Sequence, residues 1–171
     1  DRLATNGYTS AHKALTATDY GIPQTRTRVF VIGVASGEPT FPTPTTPDST
    51  PAVGPVFDRD FTDAPNHTFT NHQQSTIEKM AATDNGDSVY DSYSEAWYRL
   101  EPDEPSITIK ENHNAPFVHP YEDRVGTPRE CAAIQTFPDD YAFVGAKSSV
   151  LQQIGNAVPP TLAKHVAGEF D

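Results

Sequence analysis

Two arginines one residue apart, in Gln24-Thr25-Arg26-Thr27-Arg28, form the most chemically pointed group in the chain. On extended backbone, residues i and i+2 share a side. Arg26 and Arg28 are therefore expected together at the mouth of a sheet, just ahead of the apolar run Val29-Phe30-Val31-Ile32. Guanidinium groups suit paired contacts to phosphate oxygens or to the acceptor edge of a base. A surface arginine pair with nothing to bind has the same spacing. Cys131 is the one thiol. As a nucleophile it would need a depressed pKa and a base partner, and Arg129 is the only positive charge beside it, so it reads as a packed thiol. His67 and His72 stand five apart with no Cys or tight carboxylate cluster nearby, and read as loop histidines rather than metal ligands.

The elements that must position these groups follow from pattern. Val29 to Val34 is β-branched and aromatic and ends near a glycine, which predicts a strand buried on both faces, as in a parallel sheet. Tyr8 to Leu15 is a weaker strand, and Asp19-Tyr20-Gly21-Ile22-Pro23 a turn. Six of the 18 residues from Glu38 to Pro55 are proline, which predicts an extended connector. Helices are expected over Gln73 to Ala82, carrying Ile77, Met80 and Ala81, and more weakly over Val89 to Tyr98, with a turn at Asp84-Asn85-Gly86-Asp87 between them. Ser106 to Ile109 is a candidate strand. Thr127-Pro128-Arg129-Glu130 places a capping threonine, a first-turn proline and a returning glutamate, so a helix should run from there to about Thr136. Ser148 to Ile154 and a segment begun by Pro159-Pro160, with Leu162 and Val166 four apart, are the last helices.

The 171 residues carry 23 acidic against 12 basic side chains, a net charge of −11, where nucleic-acid binders usually show a basic footprint. The excess is uneven: residues 1–37 are +2, residues 38–105 are −10 and residues 106–171 are −3, summing to −11. Asp supplies 14 of the 23 acids and lysine only five residues, which fits a protein adapted to high salt, where screening over about 3 Å relieves self-repulsion. A single cysteine excludes an internal disulfide framework and points to a reducing, cytoplasmic setting. No run of 18 apolar residues is present. The opening Asp1-Arg2-Leu3-Ala4 has neither Met nor a signal-peptide pattern, so a larger protein is expected.

Three strings go beyond composition: Gln24-Thr25-Arg26-Thr27-Arg28; Arg129-Glu130-Cys131-Ala132-Ala133-Ile134-Gln135-Thr136-Phe137-Pro138; and Gln152-Gln153-Ile154-Gly155-Asn156-Ala157-Val158-Pro159-Pro160. In this order, with Pro105-Ser106-Ile107-Thr108-Ile109 and with His119-Pro120 ahead of Arg124, the chain closely resembles the last blocks of the DNA (cytosine-5)-methyltransferase family. The resemblance implies the carboxyl-terminal part of an α/β enzyme: a Rossmann-like S-adenosylmethionine-dependent methyltransferase with a small mixed α+β recognition domain inserted. On that reading residues 1–37 are the last catalytic-domain strands. Residues 38–145 are the connector, recognition domain and hinge, and residues 146–171 return to the catalytic domain.

The same resemblance assigns roles. Gln24, Arg26 and Arg28 would contact a flipped cytosine and nearby DNA backbone, with Arg28 at the cytosine O2. Gly155, Asn156 and Val158 would line the S-adenosylmethionine pocket. Arg129 and Glu130 would be structural. The family adds a Cys thiolate to cytosine C6, assists at N3 with a Glu, and methylates C5 of a base turned out of the duplex. The Pro-Cys-Gln and Glu-Asn-Val strings that supply those groups do not occur in these residues, so the chain by itself is expected to be inactive. Partners are then double-stranded DNA and the missing amino-terminal portion, whether on the same polypeptide or on a second chain of a split enzyme. A non-enzymatic DNA-binding remnant is the rival. Self-association through Val29 to Val34 or the last helix is a further expectation, and Lys79, Arg99 and Lys110 are candidates for a locally neutral or basic DNA face.

Overall fold

The computed structural model describes residues 2–90, 97–110 and 117–170. Among them the elements run α1 (Arg2–Thr5), β1 (Thr9–Thr16), β2 (Thr27–Val34), α2 (Gly54–Phe57), α3 (Gln74–Ala81), β3 (Tyr98–Arg99), β4 (Phe117–Val118), α4 (Pro128–Ile134), α5 (Lys147–Asn156) and α6 (Pro160–Ala167). Short 3-10 turns occupy Ala17–Tyr20 and Gly168–Phe170. No helix among the described residues is long and apolar enough to cross a membrane.

β1 and β2 pair antiparallel over their full length, Thr9 opposite Val34 and Thr16 opposite Thr27. This corrects the expected parallel strand with two covered faces. Successive side chains point to opposite faces, so Ile32 is buried on one side while Val29 and Val31 are 66% and 63% exposed on the other. An unbroken apolar run records what the positions tolerate, and it cannot by itself separate one buried face from two. The turn between the strands ends at Gly21, whose φ of 75° is a left-handed conformation that glycine adopts without steric cost. Gly21 N donates to Thr46 Oγ1 (2.8 Å) and Tyr20 Oη to Pro42 O (2.9 Å), which ties the proline-rich connector down against this turn.

Among the described residues three apolar clusters form the core. Leu15, Ala17, Tyr20 and Ile22 pack against Leu162 of α6. The largest cluster joins α2, α4 and α5 through Val53, Val56, Cys131, Ile134, Leu151 and Ile154. Met80 of α3 packs on Val118 and Val125. Helices α5 and α6 are consecutive yet belong to different clusters, so the chain passes from one core to the other within Ala157-Val158-Pro159.

Helix α4 begins as its sequence predicts. Glu130 N donates to Thr127 Oγ1 (3.2 Å) while Thr127 N donates to Glu130 Oε2 (2.7 Å), with Pro128 in the first turn. The expected strand at Ser106 to Ile109 is instead one parallel bridge, Gln24 to Ser106. The next acceptor along the ladder, Thr25 O, takes the Thr108 hydroxyl (2.6 Å) in place of a backbone N–H, and Ile109 N donates to Gln24 Oε1 (3.0 Å). Of the expected helix over Val89 to Tyr98, residues 91–96 lie outside the described residues, and Tyr98 belongs to β3.

Candidate functional site

Burial separates the two arginines that the sequence places together. Arg26 N donates to Gln24 O (2.8 Å), a three-residue turn just before β2 begins. Gln24 and Arg26 are 0% and 2% exposed, whereas Arg28, within β2, stays at the surface. Gln24 and Arg26, expected as contacts to a base or DNA backbone, are thus interior groups. Arg26 Nη1 donates to Ile109 O (2.8 Å), so this pair of side chains holds both backbone groups of Ile109. Arg26 Nη2 donates to Gly155 O (2.8 Å) and Ala157 O (3.0 Å). Burial, and then the charge of Arg28, lowers the Arg26 pKa to about 10, which leaves it a cation at neutral pH. Arg28 Nη1 donates to the adjacent Thr27 O (2.8 Å), and the rest of its fork faces outward.

The second group of expected residues lies where Arg26 reaches. Gly155 is buried, Asn156 is exposed and Val158 is 41% exposed. Arg26 thus grips the carbonyls on either side of Asn156 and leaves the amide side chain at the surface. A cation at the carboxyl end of α5 also meets the negative end of the helix dipole, worth about 0.3–2 kcal/mol. Two residues from the end of α4 grip the same segment. Gln135 Nε2 donates to Ile154 O, and Thr136 Oγ1 accepts from Thr161 N (3.1 Å). Thr136 has a φ of 66°, uncommon for a β-branched residue and costing on the order of 1–3 kcal/mol. Arg26 Nε, Gln24 Nε2 and Gln135 Oε1 are buried with no hydrogen-bond partner among the described residues. Each such group costs roughly 1–3 kcal/mol, so polar side chains are retained here where apolar ones would be less costly.

Arg129 and Glu130 are structural, in line with their place in the capping sequence. Arg129, 0% exposed, donates from Nε to Pro65 O (2.9 Å), from Nη1 to Pro138 O (2.8 Å) and from Nη2 to Tyr141 O. Glu130, 3% exposed, accepts from Arg124 Nη2 at Oε1 (2.7 Å) and Nη1 at Oε2 (2.9 Å). His119 lies beside this pair, its Nε2 3.8 Å from an oxygen of both Glu122 and Glu130 and its Nδ1 accepting from Tyr121 N (3.1 Å). Burial, and then the charge of Arg124, lowers its pKa to about 4.

Cys131 is fully buried, and burial, reinforced by the Glu130 charge, pushes its thiol well above the ordinary range. A thiol in this state is no nucleophile. His67 Nδ1 lies 3.0 Å from Thr127 Oγ1 and His72 packs edge-on against Trp97; no metal-binding cluster occurs among the described residues. Of the candidates for a DNA face, Lys79 and Lys110 are exposed, whereas Arg99 is 5% exposed. It donates to His119 O (3.0 Å), Met80 O and Asp123 Oδ1 (2.7 Å), so it holds the third core together rather than facing a ligand. Gln135 and Thr136 stand in the second string and Arg124 follows His119-Pro120, yet none of the three was assigned a role from the sequence. A glutamine directly after the apolar Ala132-Ala133-Ile134 segment is the signal that could have found the first.

The family model described as C-5 cytosine-specific DNA methylase matches residues 1–171. Type II methyltransferase M1.HphI of Haemophilus parahaemolyticus is 35% identical over 177 residues, covering 94% of this chain and 47% of that protein. Type II methyltransferase M.BbvI of Brevibacillus brevis is 33% identical, covering 85% of this chain and 44% of that protein. The chain thus spans about half the length of these curated relatives. Type II methyltransferase M.AquIB of Picosynechococcus is 39% identical over 116 residues, which cover 60% of this chain but 84% of that protein. Among solved structures, a prophage-encoded candidate DNA modification methyltransferase of E. coli superposes with a TM-score of 0.80 at 24% identity, covering 99% of this chain and 62% of the other. S. pombe Dnmt2 methyltransferase gives 0.65 at 13% identity, covering 97% and 58%. These likenesses show an α/β methyltransferase fold.

Proposed function

Since the chain belongs to the C-5 cytosine-specific DNA methylase family, we propose that it is the carboxyl-terminal portion of a cytoplasmic DNA cytosine-5 methyltransferase. In this reading β1, β2, α5 and α6 belong to a Rossmann-like catalytic domain, and the α2–α4 region forms an inserted recognition domain that docks double-stranded DNA. Arg28 contacts a cytosine turned out of the duplex. The observation that carries the proposal is the arrangement on either side of Arg26: exposed Arg28 lies two residues along the chain, and exposed Asn156 lies between the two carbonyls that Arg26 holds. A base-side cation and a cofactor-side amide thus come from one joint.

The residues present fit one wall of an S-adenosylmethionine pocket. Asn156 offers an amide that can donate and accept, and Val158 an exposed apolar surface, both next to a buried cation. S-adenosylmethionine, when bound, supplies the methyl group. The chain's own part is to bind and orient: Arg28 by donating to an acceptor of the base, Asn156 by hydrogen bonding at the cofactor rim. The nucleophilic Cys and the assisting Glu come from the complementary portion. A split enzyme is the favoured second form, because M.AquIB aligns with this chain over 84% of its own length.

The test is transfer of labelled methyl groups from S-adenosylmethionine to mixed-sequence duplex DNA at low and at molar salt. The 171-residue chain alone should give none. Mixed with or joined to a portion bearing Pro-Cys-Gln and Glu-Asn-Val, such as that of a related type II methyltransferase, it should restore transfer. Robust transfer by the chain alone, or none in combination at either salt, would overturn the proposal.

A further inference from the structure

The interior position of Arg26 gives it a task other than contact with DNA. Three side chains from two separate segments close on one stretch of backbone. Arg26 takes the carbonyls of Gly155 and Ala157, Gln135 that of Ile154, and Thr136 the amide of Thr161. That stretch is where the chain leaves the core containing α5 for the core containing α6. These bonds fix the carboxyl end of α5, and with it Asn156, relative to β2. Arg26 also holds Ile109 O, so one guanidinium joins the start of β2, the segment before residues 111–116 and the end of α5. The positive φ of Thr136 closes α4 at the same junction, with Thr136 N donating to Ala133 O (2.9 Å) and Phe137 N to Ala132 O (3.0 Å).

We propose that Arg26 and Gln135 are positioning residues that lock the Ile154–Ala157 end of α5, so that exposed Asn156 stays in fixed register with exposed Arg28. The lock rests on the functional reading above for its purpose, though not for its existence. It couples the group that meets the base to the group that meets the cofactor, since neither can shift without breaking charged hydrogen bonds in the interior. Arg28 belongs to the binding surface and Arg26 to its support, despite their shared block.

Three variants of the full chain separate these roles: Arg26→Lys, Gln135→Leu and Arg28→Lys. Hydrogen exchange read on peptides spanning residues 150–158 should accelerate about tenfold or more in Arg26→Lys and Gln135→Leu, as expected for losing a buried hydrogen bond. Protection in β1 and β2 should persist, which guards against simple unfolding, and Arg28→Lys should leave residues 150–158 unchanged. In the chain combined with its complementary portion, Arg26→Lys should raise the KM for S-adenosylmethionine. A further variant that removes the charge, Arg26→Gln, should leave the slope of log affinity for a mixed-sequence duplex against log salt intact. A direct phosphate contact would instead lower that slope by about one. Unchanged exchange in Arg26→Lys, or a slope reduced by one with KM unaltered, would overturn the lock. If the combined protein shows no transfer the functional reading fails, and the exchange experiment on the chain alone still decides the proposal.

Discussion

Arg124 and Glu130 meet fork to fork, with both carboxylate oxygens of Glu130 engaged by terminal nitrogens of Arg124 at 2.7 and 2.9 Å. The same carboxylate closes the cap of α4 by accepting from Thr127 N. One buried side chain therefore satisfies a helix end and a partly buried cation together.

Replacing Glu130 with Ala should be among the most damaging single changes in the chain. It takes the buried partner from Arg124, which keeps only the exposed Glu122, and uncaps α4, at a cost of about 2–4 kcal/mol. Thr127→Ala removes only one cap bond and should cost about 1 kcal/mol. Urea unfolding of the two variants measures the difference, and equal losses would show that the ion pair contributes nothing beyond the cap.

His119 sets a pH dependence. Its folded pKa of about 4 lies below the ordinary histidine value, so between these limits the unfolded chain binds the additional proton. Stability from this group is complete above about pH 6.5 and is lost as pH falls toward 4. His119→Asn keeps a side-chain oxygen able to accept from Tyr121 N and removes the titration. The difference between wild-type and variant stability curves should therefore decline over that window and be flat above it; a flat difference throughout would dismiss the effect.

Cys131 should be inert toward iodoacetamide in the native state at pH 8 and react only on unfolding, because the thiol is both enclosed and held protonated. Cys131→Ala should keep the methyl transfer of the combined protein and lose about 1–2 kcal/mol of stability to the smaller side chain. Loss of transfer in a stably folded variant would contradict a packing role.

Gly126 lies against the Phe117 ring so closely that an added Cβ would fall 2.3 Å from its Cζ. Gly126→Ala should displace Phe117 from the largest core and destabilise by about 1–3 kcal/mol or more. The companion change Phe117→Leu should recover part of that loss, and failure of the pair to couple in a double-mutant cycle would argue against the contact.

Local signals in the sequence carried far. The cap of α4, the helix bounds near Gln74–Ala81 and Lys147–Asn156, and the final helix with Leu162 inward all follow from residue types within a turn of one another. Long-range pairing did not. The antiparallel partner of Val29 to Val34 and the end of the Ser106 bridge, where the Thr108 hydroxyl takes Thr25 O, depend on contacts between distant segments. The candidate site divided the same way. Arg28 and Asn156 were legible as surface groups from their blocks, while the interior fate of Arg26 was hidden because the carbonyls that hold it, of Ile109, Gly155 and Ala157, come from segments far along the chain. Arg99 was misplaced for a related reason: charge alone sent it to the surface, and its carbonyl partners lie up to 23 positions away.

The packing of Leu15 and Ile22 against Leu162 has a consequence for biosynthesis. The strand pair is complete at Val34, yet Leu162 of the helix that covers its inner face follows 128 positions later. At roughly 5–20 residues per second that leaves the apolar surface of β1 and β2 waiting about 6–26 s for its own chain. Whatever shelters those strands in the interval, a chaperone or a segment synthesised before them, must bind loosely enough to give way to α6.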